Sequence, residues 1–204
     1  MMGLNASSAE LLRRAREGNA DAAGAVMELY RGYLTILART QIGRRLQGKA
    51  DPADLVQETF LEAHKHIGRF RGHSEIEFLS WLRTILAAVV SNHVRHYLGT
   101  QQRDARLEKA LVVELDNTSG VLQRGLMAAD STPSRQAANR EALILLANAL
   151  EQLPDDYRQV IMLRHLEGLP FADVAVRMNR TVASVQNLWV RALKRMKQSV
   201  GESL

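Results

Sequence analysis

At 204 residues the chain is long enough for one medium domain or two small ones. It is 46% hydrophobic and 24% charged, which excludes a disordered chain; Ala, Leu, Arg, Glu and Gln abound while β-branched runs are scarce, which favours helix over sheet. With no cysteine, disulfides, thiolate metal sites and cysteine nucleophiles are excluded, and the formal net charge of +5 points toward an anionic partner.

The amino terminus has no apolar core flanked by basic residues, and no stretch approaches the length of a bilayer span, so a soluble, cytoplasmic chain is expected. Helix signals then follow in order. Ser7 and Glu10 form a capping box ahead of Leu11 and Leu12, with Gly18 as the stop. A second helix is predicted over Asp21–Thr40, with Val26, Leu29, Tyr33, Ile36 and Leu37 on one stripe. Asp51 as cap and Pro52 at the first helical position open a third, which runs through Leu55, Phe60 and Ala63 to Ile67 and ends at Gly68. After the loop Gly68–His73, Ser74 and Glu77 make a second capping box and open a long helix to Leu98. Its expected buried face is Phe78, Leu82, Ile85, Leu86, Val89 and Tyr97. Four helices over residues 7–98 suffice for one bundle.

Residues 99–131 lack sustained periodicity and hold the turn-forming runs Asp116-Asn117-Thr118-Ser119-Gly120 and Asp130-Ser131-Thr132-Pro133. They read as a flexible linker, residues 100–132, with at most a transient helix over Leu111–Leu115. The linker would join an amino-terminal helical domain, 1–99, to a carboxy-terminal one, 133–204. In the latter, helices are predicted over Ala137–Gln152, Asp155–Leu166, Pro170–Met178 and Val182–Val200, the last capped by Thr181. The predicted fold is all-α, with two small helical domains, the second having four helices.

Residues 170–197 have the spacing of a helix-turn-helix. Ala175 is small enough for two helices to cross closely, and Asn179 falls at a turn position that favours positive φ. Val185 and Leu188 anchor the second helix against Val174 and Met178, leaving Gln186, Asn187, Val190 and Arg191 outward. A major groove admits one helix, Gln and Asn can pair two-pronged with adenine, and Arg191, Lys194, Arg195 and Lys197 can meet phosphate. Residues 174–200 contain no acidic side chain. An ordinary helical hairpin with a solvated basic face has the same spacing.

Two sets of residues give the chain a resemblance to the extracytoplasmic-function (ECF) group of bacterial sigma factors. One comprises Asp54-Leu55-Val56-Gln57-Glu58-Thr59-Phe60, Phe70-Arg71-Gly72 and Trp81-Leu82; the other comprises Leu153-Pro154, Arg158, Leu163, Gly168, Asp173-Val174-Ala175, Val185 and Arg191-Ala192. The resemblance implies a subunit, not an enzyme, that directs core RNA polymerase to promoters and assists strand opening. It implies that Asp54, Gln57, Glu58 and Leu61 dock on the polymerase, although a simple amphipathic helix with a solvated acidic face would look alike. It implies that Arg69, Phe70, Arg71 and His73, with Arg83 and Arg95 on the next helix, meet single-stranded −10 DNA, as cations for the backbone and a ring for stacking. Trp81 is expected in the core. Thr181, Ser184, Gln186, Asn187, Val190, Arg191 and Lys194 would read duplex −35 DNA. An inhibitory anti-sigma partner is a further implication, and no cofactor is expected.

The sequence departs from that pattern in places. Ala87 and Ala88 stand where the family commonly has Arg-Asn, Asn92–Leu98 is thinner in fixed charge, and Arg180 replaces the usual apolar residue after the turn. A polymerase-independent helix-turn-helix regulator would share the carboxy-terminal motif but give no reason for Asp54–Phe60. A metalloprotein built on His64, His66, His93 and His96 lacks a His-Glu-x-x-His pattern, and no metal is expected.

Overall fold

The structure, a computed structural model, describes residues 8–46, 50–98, 105–124 and 133–201. Helices α1 (Ser8–Arg16), α2 (Ala20–Leu29), α3 (Arg31–Gln41), α4 (Pro52–His66), α5 (Glu75–Leu98), α6 (Ala105–Arg124), α7 (Pro133–Glu151), α8 (Asp155–Ile161), α9 (Phe171–Arg177) and α10 (Val182–Gly201) carry the chain, and no strand occurs among the described residues. Two compact units form, Met1–Asp116 and Asn117–Leu204.

In the first unit α1 packs on α2, and α4 lies against α3 and α5. Its core is built from Tyr30, Tyr33, Leu34, Ile36, Leu37, Leu55, Phe78, Leu82 and Leu86, each fully buried. Burying one such side chain contributes about 1.5–3 kcal/mol relative to leaving it in water. The caps are as the sequence leads one to expect: Asp51 accepts from the Ala53 amide at 2.8 Å, with Pro52 at the first helical position. Ser74 Oγ accepts from the Glu77 amide at 3.2 Å while Glu77 Oε2 accepts from the amides of Ser74 and His73 at 2.9 and 2.8 Å. Gly18 ends α1 at φ 91°, a conformation that other residues adopt only with strain. Ser7 lies outside the described residues.

The helix predicted over Asp21–Thr40 is in fact two. It breaks at Tyr30 (φ −100°, ψ 6°), whose amide donates to Met27 O at 3.0 Å. The bend sends the phenol inward, where its hydroxyl donates to Glu75 Oε2 at 3.0 Å and its ring lies 6.0 Å from that of Phe78. Glu75 also accepts from Ser8 Oγ at 2.5 Å, so this buried carboxylate ties α1, the α2–α3 junction and the start of α5. A hydrophobic stripe cannot report such a break, because Tyr30 lies beside the stripe rather than interrupting it. Leu29 and Tyr97, expected in the core, are 37% and 43% exposed, and Ile85 is half-buried.

The stretch read as a linker holds α6, a helix of 20 residues. Its apolar side is Leu107, Leu111, Leu115 and Leu122, with Leu111, Leu115 and Leu122 buried. The spacing of four, four and seven is helical, but Asn117-Thr118-Ser119-Gly120 punctuates it with turn-forming residues. Tertiary packing overrides their local preference.

In the second unit α10 packs on α7, α8 and α9. The Arg158 guanidinium donates to the carbonyls of Glu151 (2.6 Å) and Leu153 (3.3 Å), satisfying orphan acceptors at the end of α7. Ile161 leads into a wider turn over Met162–Leu166, and Gly168 (φ 71°) then redirects the chain toward α9.

Candidate functional site

Along α4, Leu55, Val56, Thr59, Phe60 and Ala63 face the core, which leaves Asp54, Gln57, Glu58 and Leu61 in solvent. The four share one stripe, since residues three and four apart are neighbours on a helix. Leu61 is 54% exposed, an apolar side chain in the middle of a polar face. The carboxylate of Glu58 meets His93 Nε2 on α5 at 2.9 and 3.0 Å, a partnership the sequence does not announce.

The loop after α4 holds its residues differently from one another. Phe70 is only 7% exposed: its ring packs edge-on against Phe78 at 5.6 Å and lies 5.1 Å from half-buried Trp81. In this conformation the ring belongs to the core and offers no open face to a base. Arg69, Arg71 and His73 are exposed; Arg71 donates to Gly68 O at 3.0 Å, and His73 Nδ1 lies 3.2 Å from the Arg16 guanidinium. Hydrogen bonds to Glu77, that of the His73 amide foremost, hold its carboxyl below the usual carboxylate range. On α5, Arg83 is engaged rather than free, with Nε donating to Asp116 Oδ1 at 2.5 Å and Nη1 to the Tyr33 hydroxyl at 3.0 Å. Arg95 is half-buried and donates to Asn92.

In the second unit the turn Met178-Asn179-Arg180 joins α9 to α10. Asn179 sits at φ 51°, and the Arg180 amide donates to Ala175 O at 2.9 Å. Val174 and Val185 are fully buried and Ala175 is 4% exposed, so the helices cross where the small residue permits. Thr181 Oγ1 accepts from the Ser184 amide at 3.2 Å and caps α10. Thr181, Gln186, Asn187, Arg191, Lys194, Arg195 and Lys197 are exposed, Val190 is 57% exposed, and Ser184 is half-buried. Every residue assigned to −35 reading thus lies on or beside the outer face of one helix. Trp189, between them in sequence, turns inward instead: its indole N–H donates to His165 Nε2 at 2.9 Å, and its ring meets Phe171 edge-on. Sequence reasoning missed two further features. Arg180 Nη2 pairs with Asp156 Oδ2 at 2.5 Å, and a cleft between α8 and α10 gathers Asp155 and Asp156 with Arg191, Lys194 and Arg195.

Residues 29–98 match the family model described as Sigma-70 region 2, and residues 143–196 match Sigma-70, region 4, together more than half of the chain. The chain belongs to the sigma-70 family, in its ECF group. The region 2 match covers α3, α4 and α5 of this sigma factor, the region 4 match covers the later part of α7, all of α8 and α9 and α10 as far as Met196, and α6 lies outside both. The ECF RNA polymerase sigma-E factor of Haemophilus influenzae is 28% identical over 191 residues, 93% of each chain. That of Escherichia coli K12 is 28% identical over 183 residues, 89% of this chain and 88% of the relative. Among solved structures, the RsbN–BldN complex contains a chain 23% identical, covering 92% of this sigma factor and 97% of that chain, at a TM-score of 0.33. A chain of the flagellar Sigma-28/FlgM complex is 16% identical, with coverage of 91% and 98%, also at 0.33. Among the described residues of the sigma factor, no helix is long and apolar enough to cross a membrane.

Proposed function

We propose that this chain is the subunit that brings bacterial RNA polymerase to a set of promoters and assists strand opening, working in the cytoplasm and making or breaking no covalent bond itself. The observation that carries the reading is the pairing, in one chain, of a region 2 match with a region 4 match, each with an exposed face suited to its partner. Asp54, Gln57, Glu58 and Leu61 form the polymerase-docking stripe of α4; charged residues around an exposed leucine provide complementarity at the rim and an apolar anchor.

Arg69, Arg71 and His73, exposed on the loop before α5, are the cations offered to single-stranded −10 DNA. Phe70 supports that loop from beneath through its packing on Phe78 and Trp81, and Arg83 and Arg95 back it from α5. The outer face of α10 reads the duplex −35 element. Gln186, Asn187 and Val190 meet base edges, Thr181 and Ser184 sit at the leading end, and Arg191 and Lys194 track phosphate. Binding energy from these contacts offsets the cost of unstacking bases. An anti-sigma partner that holds the free factor is part of the proposal, on family membership alone.

Transcription reconstituted with core polymerase and a promoter library tests the reading. Defined start sites, lost in a Gln186→Ala, Asn187→Ala double variant or shifted to other −35 sequences, are the expected result. A chain that never joins core polymerase yet holds duplex DNA as a symmetric dimer would instead be a polymerase-independent regulator.

A further inference from the structure

Arg180 stands just ahead of the Thr181 cap, at the leading end of the helix proposed to enter the major groove. The early residues of such a helix meet base edges, and residues flanking them meet the sugar-phosphate rim. Its backbone is fixed there by the hydrogen bond from its amide to Ala175 O. Its side chain is 39% exposed and opens onto a shallow cleft lined by Val176, Asn179, Thr181, Val182 and Ser184, in which Arg180 is the one cation among the described lining residues. The guanidinium is turned toward Asp156 on α8, whose carboxylate is itself 53% exposed.

Asp156 also lines the second cleft, the one that holds Arg191, Lys194 and Arg195. Asp156 is thus set among four cations, on the edge of the surface that faces duplex DNA in the proposed reading, while its neighbour Asp155 is paired with Arg158. A phosphate oxygen is chemically close to that carboxylate and forms the same two-pronged bonds with arginine. Because both partners are well exposed, exchanging one anion for the other is nearly even in free energy.

We propose that Arg180 is a further DNA-backbone contact of this protein and that Asp156 occupies its guanidinium until a phosphate of the −35 duplex displaces it. Arg180 thereby adds one charge contact at the leading end of α10, and Asp156 tempers the attraction of that whole edge for DNA. The proposal rests on the reading of α10 as the −35 helix.

The test is holoenzyme binding to a duplex promoter fragment selected from a library by wild-type holoenzyme, measured across a salt series for wild type, Arg180→Ala, Asp156→Asn, their double variant and Arg191→Ala. Arg180→Ala is expected to weaken binding roughly three- to tenfold and to flatten the log–log salt dependence by about one unit. Asp156→Asn is expected to tighten binding, and that gain is expected to shrink in the double variant. A pair with only a structural role would shift both single variants in the same direction, so opposite signs separate the two. An unchanged slope in Arg180→Ala while Arg191→Ala weakens binding overturns this proposal alone. Loss of any promoter preference in wild type, with Arg191→Ala silent, overturns the underlying reading of α10 as well.

Discussion

The indole N–H of Trp189 donates to Nε2 of His165 at 2.9 Å, and the two rings lie within 21° of parallel. Indole is a donor only, so the imidazole must present a lone pair and carry its proton on Nδ1. Burial, and then the Arg164 charge, hold the His165 pKa below its ordinary value of 6.5. The unfolded chain therefore takes up this proton first as pH falls. The contribution to stability is whole above the ordinary value and is lost as pH drops through it toward the lower folded value. Urea unfolding between about pH 7.5 and 5 is expected to show the carboxy-terminal unit weakening, with the Trp189 emission reporting in a Trp81→Phe background. His165→Phe is expected to remove this component of the pH dependence.

Gly72 has no room for a side chain. A Cβ there would come within 2.8 Å of Phe70 Cε2 and 2.9 Å of Glu77 Cβ. The ring is wedged against Phe78 and Trp81 and cannot swing aside. Gly72→Ala is expected to cost about 1–3 kcal/mol, the usual range for overpacking, measured by chemical denaturation. Promoter opening at −10 should fall with it, because the loop carrying Arg69, Arg71 and His73 shifts.

Arg83 binds α6 to the first unit through Asp116, and Glu114 does the same with Arg45. Arg83→Ala is expected to lower stability by about 1–2 kcal/mol. It should also raise amide exchange over residues 105–116. Unchanged exchange there would show that the contact does not hold the helix.

Leu61→Ala removes an exposed side chain, so its effect on stability is expected to stay within about 0.5 kcal/mol. Its effect on core-polymerase binding is expected to be roughly tenfold, as for an apolar anchor at an interface centre. Equal binding by wild type and variant would exclude Leu61 from the docking stripe.

Asn179 occupies the left-handed region at φ 51°. Asn179→Gly is expected to be near neutral and Asn179→Ala to cost about 1 kcal/mol, with a β-branched replacement costing more. Thermal unfolding of the full chain distinguishes the three.

The helix ends were legible because capping is local chemistry: Asp51–Pro52 and Ser74–Glu77 state their role within four residues. The carboxy-terminal motif was legible for a similar reason, since Ala175, Asn179 and Val185 have fixed offsets and fixed geometry. What escaped depends on distant partners. The Tyr30 break is set by Glu75, 45 positions away, and the engagement of Arg83 by Asp116, 33 positions away. Phe70 had the right chemistry for stacking on a base, but its place under the loop is decided by Phe78 and Trp81. Helix α6 escaped because Asn, Thr, Ser and Gly outweigh four leucines in any local reading.

Helix α10 from Val182 to Val200 contains neither carboxylate nor imidazole, only Arg191, Lys194, Arg195 and Lys197 as ionisable side chains. Any negative group that tempers the pull of this helix on an anionic polymer must therefore come from a neighbouring element, as Asp155 and Asp156 do from α8.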